Sequence, residues 1–193
     1  MASVVLNGDS SGSITLSAPT AAGSTTQTLV ANSGTLAPIV SGTAQASTSG
    51  TSIDFTGIPS WVKRITVMFS GVSTNSTSPL QIQIGAGSVA TSGYNSGCGY
   101  GTSAGQYGNS SSAFLLEPTA NATAANTMHG AFVLTNMGNN IWAGQGTFYL
   151  SQGPISCTSG GAAILSGTLD RVRITTVNGT DTFDAGSINI LYE

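Results

Sequence analysis

The most constraining feature of this sequence is alternation: apolar side chains recur at every second position in short stretches, and helical spacing is almost absent. Residues two apart lie on one face of a β-strand, so this period predicts half-buried strands. Gly, Asn, Ser and Pro fill the gaps and favour turns, because Gly and Asn tolerate positive φ. The predicted strands are residues 3–6, 13–17, 27–31, 52–55, 64–69, 80–84, 113–116, 129–135, 146–150, 171–177 and 187–192. The sequence therefore predicts an all-β fold.

Charge is scarce along the whole chain. Charged residues make up 6% of it, where a typical soluble domain carries about a quarter. Disorder is excluded because 39% of the residues are hydrophobic and the net charge is only −3. Four basic residues form no footprint for nucleic acid or an anionic membrane, and no stretch is apolar enough to insert into a bilayer. Because no signal peptide precedes the chain, we expect assembly in the cytoplasm.

Composition changes near residue 50. Residues 1–50 contain no aromatic side chain and one charge, Asp9, so they cannot close a core of their own and need a partner surface. We predict that residues 1–50, with a linker at 41–50, form a separate strand-rich segment that packs on a partner. From residue 51 the aromatics begin and strands follow at the spacing of a β-sandwich, which predicts a jelly-roll-like sandwich over residues 51–193.

Two of the four basic residues stand together in the longest apolar run, "SIDFTGIPSWVKRITVMFSGVS", residues 52–73. Pro59 cannot donate to a strand ladder, so it predicts a break between two strands. We expect all four basic residues to lie on solvent faces or sheet edges, where charge opposes aggregation. They are Lys63, Arg64, Arg171 and Arg173. The alternative is that these cations form ion pairs across strands or subunits. Their candidate partners are Asp54, Asp170, Asp181 and Asp184.

No catalytic, cofactor or metal motif is present in the sequence. The sequence does not identify any one serine or cysteine as a nucleophile for the single histidine, His129. We interpret His129 as a side chain at the start of a strand or at a trimer axis. Asp170, Asp181 and Asp184 are the nearest approach to a glycosidase carboxylate pair, but a structural role is favoured. Cys98 and Cys157 are expected to be free thiols, with a single bridge as the alternative. The motif "GCGYG", residues 97–101, lacks the Lys and the helix of a phosphate loop.

One segment has the composition of a binding loop. "SGYNSGCGYGTSAGQYGNSSS", residues 92–112, places three tyrosines among Gly and Ser, which supplies rigid amphipathic contacts amid adaptable polar ones. Tyr94, Tyr100 and Tyr107 are therefore the candidate binding residues. The alternative is a Gly-rich loop that packs on a neighbouring subunit.

Three stretches carry a resemblance to a known class of proteins. They are "MASVVLNGDSSGSITLSAPTAAGSTTQTLVANSGTL", "SIDFTGIPSWVKRITVMFSGVS" and the closing "GSINILYE". Together they resemble short bacteriophage virion proteins of the tail-fibre and head-fibre class. The resemblance covers most of the chain and thins in the Gly/Tyr-rich middle.

The resemblance implies a function and a set of partners. Such proteins are typically non-enzymatic homotrimers, in which an N-terminal segment joins other virion proteins and a C-terminal sandwich faces outward, sometimes towards host polysaccharide or a receptor. The resemblance thus implies that residues 1–50 are an attachment and trimerisation segment. It offers no catalytic or cofactor residues to carry over. A capsid decoration protein that clamps coat subunits and a bacterial surface adhesin are the alternative interpretations.

Overall fold

The computed structural model describes residues 3–7, 11, 13–17, 38–101, 106–152 and 155–193. The chain divides into two compact units, Met1–Leu36 and Ala37–Glu193. In the first unit, two short strands form an antiparallel hairpin with Ser3 opposite Ser17. The second unit contains two sheets packed as a sandwich.

Strands account for nearly all the regular structure of the described residues. In chain order they are β1 (Ser3–Asn7), β2 (Ser13–Ser17), β3 (Val40–Ser41), β4 (Gln45–Ala46), β5 (Ser52–Thr56), β6 (Arg64–Thr74), β7 (Leu80–Ala86), β8 (Ser88–Val89), β9 (Tyr94–Tyr100), β10 (Gln106–Ser110), β11 (Phe114–Leu115), β12 (Met128–Gly138), β13 (Ile141–Leu150), β14 (Ile155–Ile164), β15 (Arg171–Thr176) and β16 (Phe183–Tyr192). One 3-10 turn, Thr119–Asn121, follows β11. The all-β prediction is confirmed.

The second unit has one large and one small sheet, both antiparallel. The large sheet runs β10-β9-β14-β13-β12-β6-β16-β3, with β4 also paired to β16. The small sheet runs β11-β7-β15-β5, with β8 paired to β7. Sandwiches of this kind bury the inner face of each sheet and leave the outer face of at least one to solvent.

The core lies between the sheets and follows the predicted alternation. In β6 the side chains of Ile65, Val67 and Phe69 are buried, while the residues between them face outward. Ring pairs tie the sheets together, because Phe114 of the small sheet lies 5.2 Å from Phe132 of the large sheet between ring centroids. Burying such aromatic side chains is the main source of stability in a chain with so few ion pairs.

The basic residues of the 52–73 stretch lie at the start of a central strand. The turn at Gly57, whose φ is +74°, carries the chain from β5 in the small sheet to β6 in the large one. The backbone N–H groups of Lys63 and Arg64 donate to the carbonyl of Glu193, and the Arg64 side chain forms an ion pair with Glu193. The stretch therefore builds one strand of each sheet, with its charges at the sheet end.

Two of the candidate aspartates bind arginines, one of them across strands and the other as a chain neighbour. Arg173 contacts Asp54 across adjacent strands through two hydrogen bonds of 2.7 and 2.9 Å. Arg171 contacts its chain neighbour Asp170 at 2.8 Å. The three arginines are thus each bound to one carboxylate, while Lys63 is exposed.

Residues 41–50 do not form the linker that the composition indicated. Val40 and Ser41 pair with β16, as do Gln45 and Ala46. The Ser47 side chain is fully buried and donates to the carbonyl of Ala185 at 2.8 Å. The stretch forms the edge of the large sheet and pairs with the side of β16 that does not face β6. The predicted strand at 27–31 lies outside the described residues.

Candidate functional site

The Gly/Tyr-rich segment, residues 92–112, contains two strands rather than the single long loop predicted from its composition. β9 and β10 pair with Tyr107 opposite Gly99 and Asn109 opposite Gly97. The sequence pattern did not indicate these two strands, because glycine has no side chain with which to show apolar and polar alternation. A Cβ on Gly99 would lie 3.1 Å from the Gln106 carbonyl oxygen, so a larger residue would crowd the neighbouring strand.

Tyr94, the first candidate binding residue, lies in the core. It is 5% exposed, and its ring packs edge-to-face on Phe114 with centroids 5.3 Å apart. Its hydroxyl accepts from the N–H of Ile84 at 2.8 Å and lies 3.1 Å from the carbonyl of the same residue. Burial raises the pKa of this phenol to about 12. Tyr94 therefore holds the sheets together and is not available to a ligand.

Tyr100 and Tyr107, the other two candidates, lie at one groove at the β10 edge of the large sheet. Tyr107 is 82% exposed, whereas Tyr100 is half-buried and packs against the core. Both line a cavity of about 730 Å³ whose remaining wall is mostly glycine, with Asn109 and Thr158 supplying polar groups. The register thus gives the three tyrosines three different environments.

The groove belongs to a larger surface, the outer face of the large sheet. Side chains opposite one another across β10, β9, β14, β13 and β12 form rows on this face. One row is Tyr107, Gly99, Thr158, Thr147 and Ala131. The next row is Asn109, Gly97, Gly160, Gln145 and Val133.

This outer face is neutral and grooved. Neither row contains a charged residue, and the polar groups are hydroxyls and amides. A second cavity of about 490 Å³ is lined by Ala131, Val133, Gln145 and Thr147. It shares Thr158 with the Tyr107 groove, so the two cavities adjoin along the sheet.

The structure adds two ring side chains that the sequence did not indicate as binding residues. His129 and Tyr149 are a cross-strand pair on the same outer face, with ring centroids 6.5 Å apart. Tyr149 is 46% exposed and lies two residues from Thr147, on the next row. His129 Nδ1 accepts the Gly71 N–H at 3.2 Å, which fixes the ring. His129 thus lies on the outer face of the sheet. Because adjacent strand residues point to opposite faces, the burial of Phe148 places its neighbour Tyr149 on this outer face as well.

The two ends of the large sheet carry different exposed side chains. Tyr107, Tyr149 and His129 lie towards one end. At the other end the chain enters the sandwich, because Val40 pairs with Tyr192 at the close of β16. Eight residues of β13 separate Tyr149 from Ile141, or about 26 Å along the strand. The exposed apolar side chains Ile39, Met137 and Ile164 belong to this second end.

A second polar feature lies inside the sandwich. Glu117 is 5% exposed, and burial raises the pKa of its carboxyl to about 7. Its Oε1 accepts the Leu80 N–H at 3.2 Å, while Oε2 has no partner among the described residues. The neighbouring thiols of Cys98 and Cys157 are buried and unbonded, and burial raises the pKa of Cys98 to about 12 and that of Cys157 to about 11. Only the carboxyl of these three groups can ionise near neutral pH.

Within the described part of the chain, no three His, Cys, Asp or Glu side chains are grouped to hold a metal, and no helix is long and apolar enough to cross a membrane. The His129 ring contacts the Gly71 N–H, the Thr127 hydroxyl and the Tyr149 ring. No family model, curated protein or solved structure matches this chain.

Proposed function

We propose that this chain is a non-enzymatic bacteriophage virion protein, a short fibre or spike on tail or head. Three quoted stretches of the sequence resemble that class, and the architecture is compatible with it: an N-terminal hairpin unit followed by a sandwich. A surface almost without charge, made of hydroxyl and amide groups, suits a particle that persists outside the cell. A jelly-roll-like, intertwined trimer is part of the same proposal.

The observation that carries the proposal is the outer face of the large sheet. Exposed rings at Tyr107, Tyr149 and His129 stand beside adjoining grooves with amide and hydroxyl walls. Aromatic rings stack on the apolar faces of sugars, and amides and hydroxyls bond sugar hydroxyls. Because the rows contain no cation, the ligand that fits is a neutral glycan of the host surface or the neutral part of a receptor.

The difference between the two ends of the large sheet supports a role in which one part of the chain binds the host and another part binds the particle. The ring cluster lies at one end of the large sheet, and β3 pairs with the close of β16 at the other end. In this proposal, the host ligand and the other virion proteins use separate parts of the chain, the ring end of the sheet and the N-terminal segment. The exposed Ile39, Met137 and Ile164 at the second end also favour an alternative, a capsid decoration protein, since apolar side chains there would be covered by coat subunits.

Replacing the exposed rings should remove binding while leaving the fold intact. We expect Tyr107→Thr and Tyr149→Thr each to weaken binding to a neutral host glycan by about tenfold, because stacked aromatics dominate such contacts. The thermal midpoint should move by no more than about 2 °C, since exposed substitutions cost little. Glycan-array binding and calorimetry on the purified protein measure both quantities.

Trp61→Thr is the matched control for these variants. It removes another exposed ring, which contacts Tyr192 at 5.9 Å at the second end of the sheet, and it should leave glycan binding unchanged. Equal losses in the control and the test variants, or full binding by the Tyr107/Tyr149 double variant, would count against the sheet face as the binding surface.

The N-terminal hairpin favours association of chains, and the class of proteins that the sequence resembles supplies the number three. Val5 and Leu6 of β1 are 52% and 56% exposed, and adjacent strand residues point to opposite faces. Both faces of the hairpin therefore present apolar side chains, and an isolated two-stranded hairpin is at best marginally stable. Light scattering should give three times the mass of one chain. A stable, fully folded monomer would contradict the trimer.

A further inference from the structure

The two cavities on the outer face of the large sheet form one continuous path. The Tyr107 groove lies over β10 and β9, the second cavity lies over β13 and β12, and Thr158 of β14 lines both. The Thr158 hydroxyl donates to the Gly99 carbonyl at 3.3 Å, which holds this side chain towards β9. An elongated ligand can therefore cross the strands from one cavity to the other.

The exposed rings of Tyr107 and Tyr149 lie at opposite ends of this path. The register places Tyr107 of β10 level with Thr147 of β13, three strand spacings away. Tyr149 lies two residues further along β13. With about 4.8 Å between strands and about 3.4 Å per residue, the Cα atoms of the two tyrosines are roughly 16 Å apart. Because a sugar ring is similar in width to a tyrosine ring, a monosaccharide or disaccharide covers one tyrosine, whereas a longer linear chain reaches both.

Glycine forms the floor of the path between the two rings. Gly97, Gly99 and Gly160 line the groove on β9 and β14. A Cβ on Gly99 or Gly97 would lie 3.1 or 3.3 Å from a carbonyl oxygen of β10, so crowding accounts for these two glycines. A Cβ on Gly160 would meet nothing closer than the Gly144 carbonyl oxygen at 3.5 Å, and its φ is not positive.

Gly160 therefore has no steric reason to be glycine. Glycine in the interior of a strand weakens the strand, because it has no side chain to pack. Gly160 lies in the middle of β14, opposite Gly97 of β9 and Gln145 of β13. What its missing side chain provides at this position is an open floor between the two cavities.

We propose that this path binds a linear, neutral polysaccharide chain that crosses β10, β9, β14 and β13, with one sugar stacked on Tyr107 and a later one on Tyr149. The inference rests on the glycan surface proposed above and adds the form of the ligand. A charged sugar finds no opposite charge in the rows beneath the path, so the chain that fits is neutral. An extended polypeptide binds by adding a strand to a free sheet edge, whereas β9, β14 and β13 are paired on both sides.

Affinity should rise with the length of the sugar chain until the chain reaches both rings. The probes are linear neutral oligomers of glucose, galactose, mannose and N-acetylglucosamine on a glycan array, from the monomer to about eight residues. The longest oligomers of at least one series should bind the full-length protein about tenfold or more tightly than the disaccharide, because the second contact forms within a chain that is already bound.

Gly160→Val should remove this gain in affinity while disaccharide binding and the thermal midpoint are kept. The valine fills the floor without touching either tyrosine, and β-branched residues suit strands. Gly167→Val is the matched control, because its Cβ would lie 3.5 Å from the Cβ of Ala86, at the end of β7 in the small sheet. This control should keep the full gain. If Gly160→Val does not fold, Tyr107→Thr makes the same test, since it should lower the affinity of the longest oligomers to about that of the disaccharide.

Three results would overturn the inference. They are equal affinity at every chain length, a full gain in Gly160→Val or in Tyr107→Thr, and no binding of any neutral series. Length-independent binding that Tyr107→Thr and Tyr149→Thr still weaken would overturn the linear path alone and leave the glycan surface standing. A gain with length in a chain that is absent from phage particles would contradict the virion role alone.

Discussion

The free energy of unfolding should fall by about 3 kcal/mol as the pH rises from 4.5 to 7. The cause is Glu117, whose carboxyl pKa is raised from 4.5 to about 7 because burial disfavours the charged form. The folded state therefore holds a proton that the unfolded state has already released. Its contribution to stability is complete below about pH 4.5 and is lost as the pH approaches 7.

Glu117→Gln should remove this pH dependence, because the amide is neutral throughout the range. The variant should be more stable than the wild type near pH 8 and about equally stable near pH 4.5, as chemical denaturation at each pH would show. Asp170→Asn is the matched control, since the Asp170 carboxylate is partly exposed and is held by Arg171. A wild-type curve that stays flat from pH 4.5 to 7, or the same slope in Glu117→Gln, would sink the account of a buried, unneutralised carboxyl.

Removing residues 1–50 should destabilise the sandwich, whereas removing residues 1–37 should not. A chain that begins at residue 51 loses β3 and β4 and with them the cover of the β16 edge. The losses include the Gly42 N–H to Ile190 carbonyl bond of 2.7 Å and the Ser47 bonds to Gly186 and Ala185. At about 1 kcal/mol net for each hydrogen bond, the cost is on the order of 3 kcal/mol, or a fall in the midpoint of roughly 10 °C.

The two truncated chains are controls for each other. Both lack the N-terminal hairpin, so both should lose incorporation into particles if that segment is the attachment element. Only the shorter chain should also melt early and expose an aggregation-prone edge at β16. Equal midpoints for the two truncated proteins would show that β3 and β4 add nothing to the sandwich.

Strands with visible alternation were predicted well and strands of small residues were not. β6 and β12 carry Ile65, Val67, Phe132 and Leu134 at the expected period, and both were placed correctly. β14, with the sequence ISCTSGGAAI, was missed because Ser, Gly and Ala show little contrast between buried and exposed positions. Its place beside β9 and β13 depends on long-range pairing that no local pattern encodes.

The candidate site was located in part. The segment around Tyr100 and Tyr107 was found from composition, but which tyrosine faces solvent depends on strand register, and the same signal also selected buried Tyr94. The position of Tyr149 in the site depends on the pairing of β13 with β12, which places it opposite His129. Glu117 had one local signal, an isolated acid in the apolar run "AFLLEP", yet its lack of a cation became visible only once the three arginines had been assigned to other acids.

Electron microscopy of purified phage particles carrying a gold-labelled copy of this chain would test the central claim most directly. We predict that the label lies on the particle, at the tail or on the head surface, and that each labelled position holds the chain in threes. The Tyr107/Tyr149 double variant should be incorporated equally and should differ only in adsorption to host cells. Particles that form and infect normally without any label, while the chain is found on the bacterial surface instead, would contradict a virion protein and favour an adhesin.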